Sequence, residues 1–209
     1  MGKSLIADLD AFAGPGLPPQ FSWHCEPQRW SLDAGRLRIE PDALTDFWQR
    51  THYGYQADNG HFLYREVDGD FVMTCRVLFH PVHQYDQGGV MVRVSPDCWL
   101  KSSVEFEPSA PCRLGAVVTN HGYSDWSAQE FSPGAGDVWL RVRREADDYL
   151  VDASGDGERW SQLRMTHLHD GRGVSVACGV YACSPKQSGF HCEFTELSIV
   201  AGRLSETRT

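Results

Sequence analysis

Asp46, Trp48 and Arg50 stand at alternate positions in the segment TDFWQRTHYGYQADNGHFLY, residues 45–64. Strand side chains alternate between faces, so Asp46, Trp48, Arg50 and His52 are expected on one face and Phe47, Gln49, Thr51 and Tyr53 on the other. An acid, an indole, a guanidinium and an imidazole on one face suit the wall of a polar binding site. The indole plane can stack on the C–H face of a pyranose, and Asp and Arg can bond its hydroxyls in pairs. His61 follows in the same segment. Tyr85, Asp86 and Gln87 precede Gly88-Gly89, a pair that lets backbones approach closely, and Tyr123, Ser124, Asp125 and Trp126 are expected to form a polar-aromatic loop. Lys101 and Glu105 share a strand face. The expected binding set is therefore Asp46, Trp48, Arg50, His61, Tyr85, Asp86, Gln87, Lys101, Glu105, Asp125 and Trp126, and its expected partner is a small carbohydrate-like ligand. Against this, Trp48 and Trp126 could be core tryptophans and Asp46–Arg50 a buried structural pair. The coincidence of several polar-aromatic clusters favours the pocket.

Catalysis is the competing reading of the same residues. Glu105 and Glu107 lie on one strand face, roughly 6.5–7 Å apart at Cα, while retaining glycosidases hold their carboxyl groups about 5–5.5 Å apart. In that reading Glu105 is the base or nucleophile and His61 or Glu107 the acid. Lys101, four residues earlier on the same face, is expected to lower the pKa of Glu105, so a Lys101–Glu105 pair is favoured over a glycosidase pair. Metal chemistry has little support. His80-x-x-His83 and His167-x-His169 lack a Cys or carboxylate at a recognised ligand spacing, and Cys178, Cys183 and Cys192 form no C-x-x-C, so neither metal nor cofactor is expected. Cys183 reads as a small buried thiol rather than a nucleophile. Asp156 in Ser154-Gly155-Asp156-Gly157 reads as the bridge of a β-turn with Trp160 packed beneath it. No G-x-S-x-G, P-loop or G-x-G-x-x-G is present.

The elements that must carry these residues read as strands. Seven Trp, seven Tyr, ten Phe, 20 Gly and 11 Pro in 209 residues favour strands punctuated by turns. Strand-like runs are expected at 37–40, 47–57, 61–67, 71–79, 88–94, 99–106, 114–120, 138–144, 149–154, 174–181 and 192–200. Asn59-Gly60 is expected to close a tight hairpin, and a short helical turn is allowed near 163–167. About a dozen strands in one domain point to a sandwich or barrel. Residues 1–20 read as an arm, 21–202 as the domain and 203–209 as a tail. The net charge of −9, from 19 basic and 28 acidic residues, argues against a nucleic-acid partner. No apolar run suits a secretory signal or a membrane span, and seven scattered cysteines suggest reduced thiols and a cytoplasmic setting.

The blocks TDFWQRTHYGYQADNGHF, YDQGGVMVRV, WLKSSVEF, YSDWS, SGDGERW and ACSPKQSGFHCEF resemble the domain-of-unknown-function family that includes the fungal "regulation of enolase" protein. The resemblance runs from about Phe21 to Val200. It implies an all-β, two-sheet concanavalin A-like jelly-roll β-sandwich, similar to lectins and glucanases, whose concave face usually holds sugar. It also implies a metabolic-enzyme partner. The Glu-x-Asp-x-Glu triplet typical of such glucanases is absent, which weighs against catalysis.

Overall fold

A computed structural model describes residues 11–14, 16–131 and 137–202. Among the described residues all sixteen elements are strands: β1 (Ser22–His24), β2 (Arg29–Asp33), β3 (Arg36–Glu40), β4 (Phe47–Gln49), β5 (Gln56–Asp58), β6 (His61–Val67), β7 (Phe71–His80), β8 (Gln87–Ser95), β9 (Cys98–Glu105), β10 (Cys112–Asn120), β11 (Tyr123–Phe131), β12 (Asp137–Glu145), β13 (Asp148–Ser154), β14 (Ser161–His167), β15 (Val176–Cys183) and β16 (His191–Ala201). They form two seven-stranded antiparallel sheets, ordered β1-β6-β15-β8-β9-β10-β11 and β14-β13-β12-β7-β16-β3-β2, plus the separate pair β4-β5. This is the concanavalin A-like jelly-roll sandwich expected from the sequence. No helix among the described residues is long and apolar enough to cross a membrane.

Alternation builds the core. Val90, Val92, Leu100, Val104 and Val118 of the first sheet pack with Met73, Val77, Leu140, Val142 and Phe194 of the second, burying apolar area that stabilises by about 25 cal/mol per Å². Phe12, within the segment expected to form an arm, is fully buried in this core, and the Ala11 amide donates to the Leu197 carbonyl at 2.7 Å. Residues 1–10 of that arm and the tail 203–209 lie outside the described residues.

A second apolar cluster lies on the other face of the first sheet. Phe47 of β4 packs there on Trp99 and Tyr181 at ring separations of 6.2 and 6.0 Å, with Phe62, Met91 and Cys183 around it. The β4-β5 hairpin is thus pinned over a sheet face that would otherwise be open, and it forms one wall of a cavity.

Four local expectations change. The run 47–57 is not one strand: Arg50, His52 and Gly54 all take positive φ, at 55°, 65° and 63°, and turn the chain back on itself. Asn59-Gly60 does not close a two-residue hairpin, since it leads from β5 to β6 in a different sheet. The Asn59 side chain instead accepts from the Asp46 amide and donates to the Leu44 carbonyl. Gly60 is required by packing, because a Cβ there would come 2.3 Å from Phe47 and 2.5 Å from the Cys183 sulfur. Residues 123–131 are the edge strand β11, and 161–167 the edge strand β14, rather than a loop and a helical turn. Both are largely exposed on both faces, so neither carries the apolar alternation that marks a strand.

Candidate functional site

Three cross-strand rows on β8, β9 and β10 make the floor of the cavity. Gln87, Glu105 and Arg113 are aligned, then Gly89, Ser103 and Gly115, then Met91, Lys101 and Val117. The third row continues to Trp126 on β11. The middle row is low because two of its members lack side chains; a Cβ on Gly115 would lie 2.2 Å from the Ser127 carbonyl oxygen. Asp46, Trp48, Tyr53 and Tyr55 wall one side, Tyr85, Pro185 and Lys186 another, and the cavity measures about 530 Å³. That volume suits a small organic ligand.

Lys101 is the internal anchor. Its Nζ is buried and donates to the Phe47 carbonyl (2.8 Å), to Gln87 Oε1 (2.8 Å) and to Asp46 Oδ1 (3.5 Å). All three donors are therefore used within the protein, and its ion pair is with Asp46. The expected Lys101–Glu105 pair does not form. The Tyr181 hydroxyl also donates to Gln87 Oε1, at 3.1 Å, which fixes the amide so that Nε2 faces Asp46 and Glu105, each at 3.4 Å. Lys101 thus holds the β4 wall to the floor and orients the polar groups that face the cavity.

Glu105 corrects a sequence expectation. Burial pushes its pKa up to about 7; Lys101 opposes the shift, while the Asp46 and Glu107 carboxylates reinforce it. Desolvation of the carboxylate outweighs a lysine whose charge is already shared with Asp46 and two carbonyl oxygens. Glu107 lines the same cavity and accepts from Gln84 Nε2 at 3.0 Å. Burial, with Glu107 and Glu105 nearby, also raises the Tyr85 hydroxyl, and the Lys186 ammonium sits 5.2 Å from the Tyr85 ring centre.

Of the expected set, Asp46, Trp48, Tyr85, Gln87, Lys101, Glu105 and Trp126 come together at the cavity. Neither tryptophan is a core residue: Trp48 is half-buried and Trp126 is 44% exposed. Four expected members are elsewhere. Arg50 follows the turn and donates to the Gly122 carbonyl at 2.7 Å, with its guanidinium over Tyr123. His61 is 3% exposed, with Nδ1 on the Cys25 carbonyl and Nε2 accepting from the Asp42 amide, so it cannot serve as a catalytic acid in this cavity. Asp86 is fully buried and caps the β7-β8 loop through the Val82 and His83 amides and the Ser184 hydroxyl. Asp125 points the other way along β11 and pairs with Arg164 at 3.0 Å.

Tyr53, Tyr55, Ser103, Arg113, Pro185 and Lys186 join the cavity although the sequence did not mark them. Strict alternation puts Tyr53 on the face opposite Trp48, but the turn brings the two rings to 5.9 Å. Ser103 shares the strand parity of Lys101 and Glu105, which the sequence already carries, whereas Arg113 shares the row of Glu105, a signal available only once the strands are registered. The Ser154–Gly157 turn is structural as expected, since Asp156 Oδ1 accepts from the Glu158 and Arg159 amides. Trp160 lies against Arg141, whose guanidinium is 4.2 Å from its ring centre.

Residues 23–201 match the family described as "Protein of unknown function (DUF1349)". The chain is similar to "Regulation of enolase protein 1" of Saccharomyces cerevisiae, with 35% identity over 87% of this chain and 90% of the relative. The crystal structure of a functionally unknown protein from Saccharomyces cerevisiae superposes with a TM-score of 0.83 at 34% identity, over 89% of this chain and 98% of the other. A GH43 protein of Bacillus licheniformis shares the fold, with a TM-score of 0.73 at 18% identity over 93% of this chain and 39% of that enzyme.

Proposed function

The chain belongs to the DUF1349 family, and from its cavity we propose that it binds a small sugar or sugar derivative. One observation carries this reading: indole and phenol rings of Trp48, Trp126, Tyr53, Tyr55 and Tyr85 surround the polar groups of Asp46, Gln87, Ser103, Glu105 and Arg113 in one open cavity. Ring planes accept C–H faces, and paired polar groups satisfy hydroxyls. Seven cysteines scattered along the sequence without a paired spacing support a cytoplasmic setting as part of the proposal. A thermal-shift screen of neutral sugars, sugar phosphates and polyols tests it. At 100 times Kd a ligand adds about 2.7 kcal/mol, which moves the midpoint of a domain this size by roughly 5–10 °C. A screen in which no sugar moves the transition refutes the proposal.

Glu105 favours a second reading, a carbohydrate-active enzyme. A carboxyl group held near 7 with Glu107 in the same cavity can deliver or take a proton at neutral pH. Glu105→Gln should then abolish turnover of an aryl glycoside without unfolding the protein, and retained turnover removes the assignment. The name of the yeast relative and the exposed Leu44, Tyr53 and Tyr123 support a third reading, a metabolic-enzyme partner, for which affinity capture should recover one such enzyme by way of this surface.

A further inference from the structure

Away from the cavity, the outer face of the second sheet carries a histidine pair. His80 ends β7 and His191 begins β16, and the two are direct cross-strand partners. Their neighbours Phe79 and Cys192 point into the core, so both imidazoles point outward. The rings stack at 4.4 Å between centroids and 19° between planes. Glu193, two residues beyond His191, occupies the same face.

We propose that His80, His191 and Glu193 form a binding site for a divalent transition-metal ion of the zinc class. One nitrogen from each imidazole and one Glu193 oxygen all lie within 4.8 Å of one another. Zinc bonds of about 2.0–2.2 Å in tetrahedral geometry place ligand atoms about 3.4 Å apart, so the two stacked rings must rotate on the open sheet face to aim their in-plane lone pairs at one ion. Two imidazoles and a carboxylate suit zinc, with a fourth position left to water because His80 is exposed.

Two arginines approach the carboxylate, on different oxygens. Arg36 holds Glu193 Oε2, while Arg38 reaches Oε1 only at 3.5 Å. Oε1 is thus the oxygen available to metal, and Arg36 acts as the outer partner that orients the ligand. Arg38 Nε also pairs with Glu40 at 3.2 Å, a carboxylate that Arg29 shares at 3.0 Å, so a bound cation would add to three arginines set against Glu40 and Glu193. The ligands were invisible to spacing along the chain, because His80 pairs across a strand and not with His83.

The test is calorimetric titration of ZnCl2 into tag-free protein kept reduced with a phosphine, with MgCl2 and CaCl2 as hard-cation controls. One zinc per chain should bind saturably. His80→Asn and His191→Asn should each weaken it at least about tenfold, since loss of even an outer-shell partner has that effect. His167→Asn should leave it unchanged, although His167 belongs to another histidine group with His121 and His169. Metal-free melting curves of the variants should match the wild type. Absence of saturable zinc binding, wild-type affinity in both His80→Asn and His191→Asn, or loss only in His167→Asn would each overturn the proposal.

Discussion

Replacing Glu105 with Gln should make the protein more stable at alkaline pH and leave it unchanged in acid. Glu105 has its pKa raised from 4.5 to about 7, first by burial and then by Asp46 and Glu107, against Lys101. A carboxyl whose folded pKa lies above its unfolded value releases its proton more readily on unfolding. The native state therefore loses stability as pH rises from about 4.5 through about 7, and the loss is complete above that. At about 1.4 kcal/mol per pH unit, this interval amounts to about 3 kcal/mol at pH 8 and about 1.4 kcal/mol at pH 5.5. The introduced amide keeps the shape and can still accept from Gln87, but carries no charge to desolvate. Urea titrations of both proteins from pH 4 to pH 8.5 give the difference directly. It should start near zero and grow in favour of Glu105→Gln. A flat difference, or a wild type that gains stability with pH, would show that Lys101 and not burial governs this carboxyl.

The other predictions concern the scaffold around the cavity. Lys101→Met should destabilise by about 3 kcal/mol, because it strands Asp46, only 16% exposed, without its cation; it should also move the Glu105 transition to higher pH, which the same urea series would reveal. Asp86→Ala should lower stability by about 3 kcal/mol by leaving the Val82 and His83 amides and the Ser184 hydroxyl without an acceptor, while ligand affinity stays within about twofold by calorimetry.

Much of the fold was legible because central strands show their burial in the sequence. Leu100, Val104, Val90 and Val92 mark the core face, and Lys101, Ser103 and Glu105 the opposite one, which is where the cavity lies. Edge strands were missed where neither face is buried, as in β11 and β14. Arg50 and Tyr53 were misplaced by a different cause: alternation holds only while the chain stays extended, and three left-handed residues end it after Gln49. Asp86 and His61 show that a polar residue near a site can be there to satisfy backbone groups. The sign of the Glu105 shift was out of reach because it depends on how far burial of the carboxyl outweighs Lys101, which only the folded geometry sets.

We propose the aromatic-walled cavity under the β4-β5 hairpin as the sugar site. Calorimetric titration of the sugar with the largest thermal shift into wild type, Trp48→Ala and Arg50→Ala tests it most directly. Trp48→Ala should lose at least about tenfold in affinity, about 1.4 kcal/mol, and Arg50→Ala, whose native side chain is tied to Gly122, should bind like wild type. Equal affinity in wild type and Trp48→Ala, or greater loss in Arg50→Ala, would contradict the account.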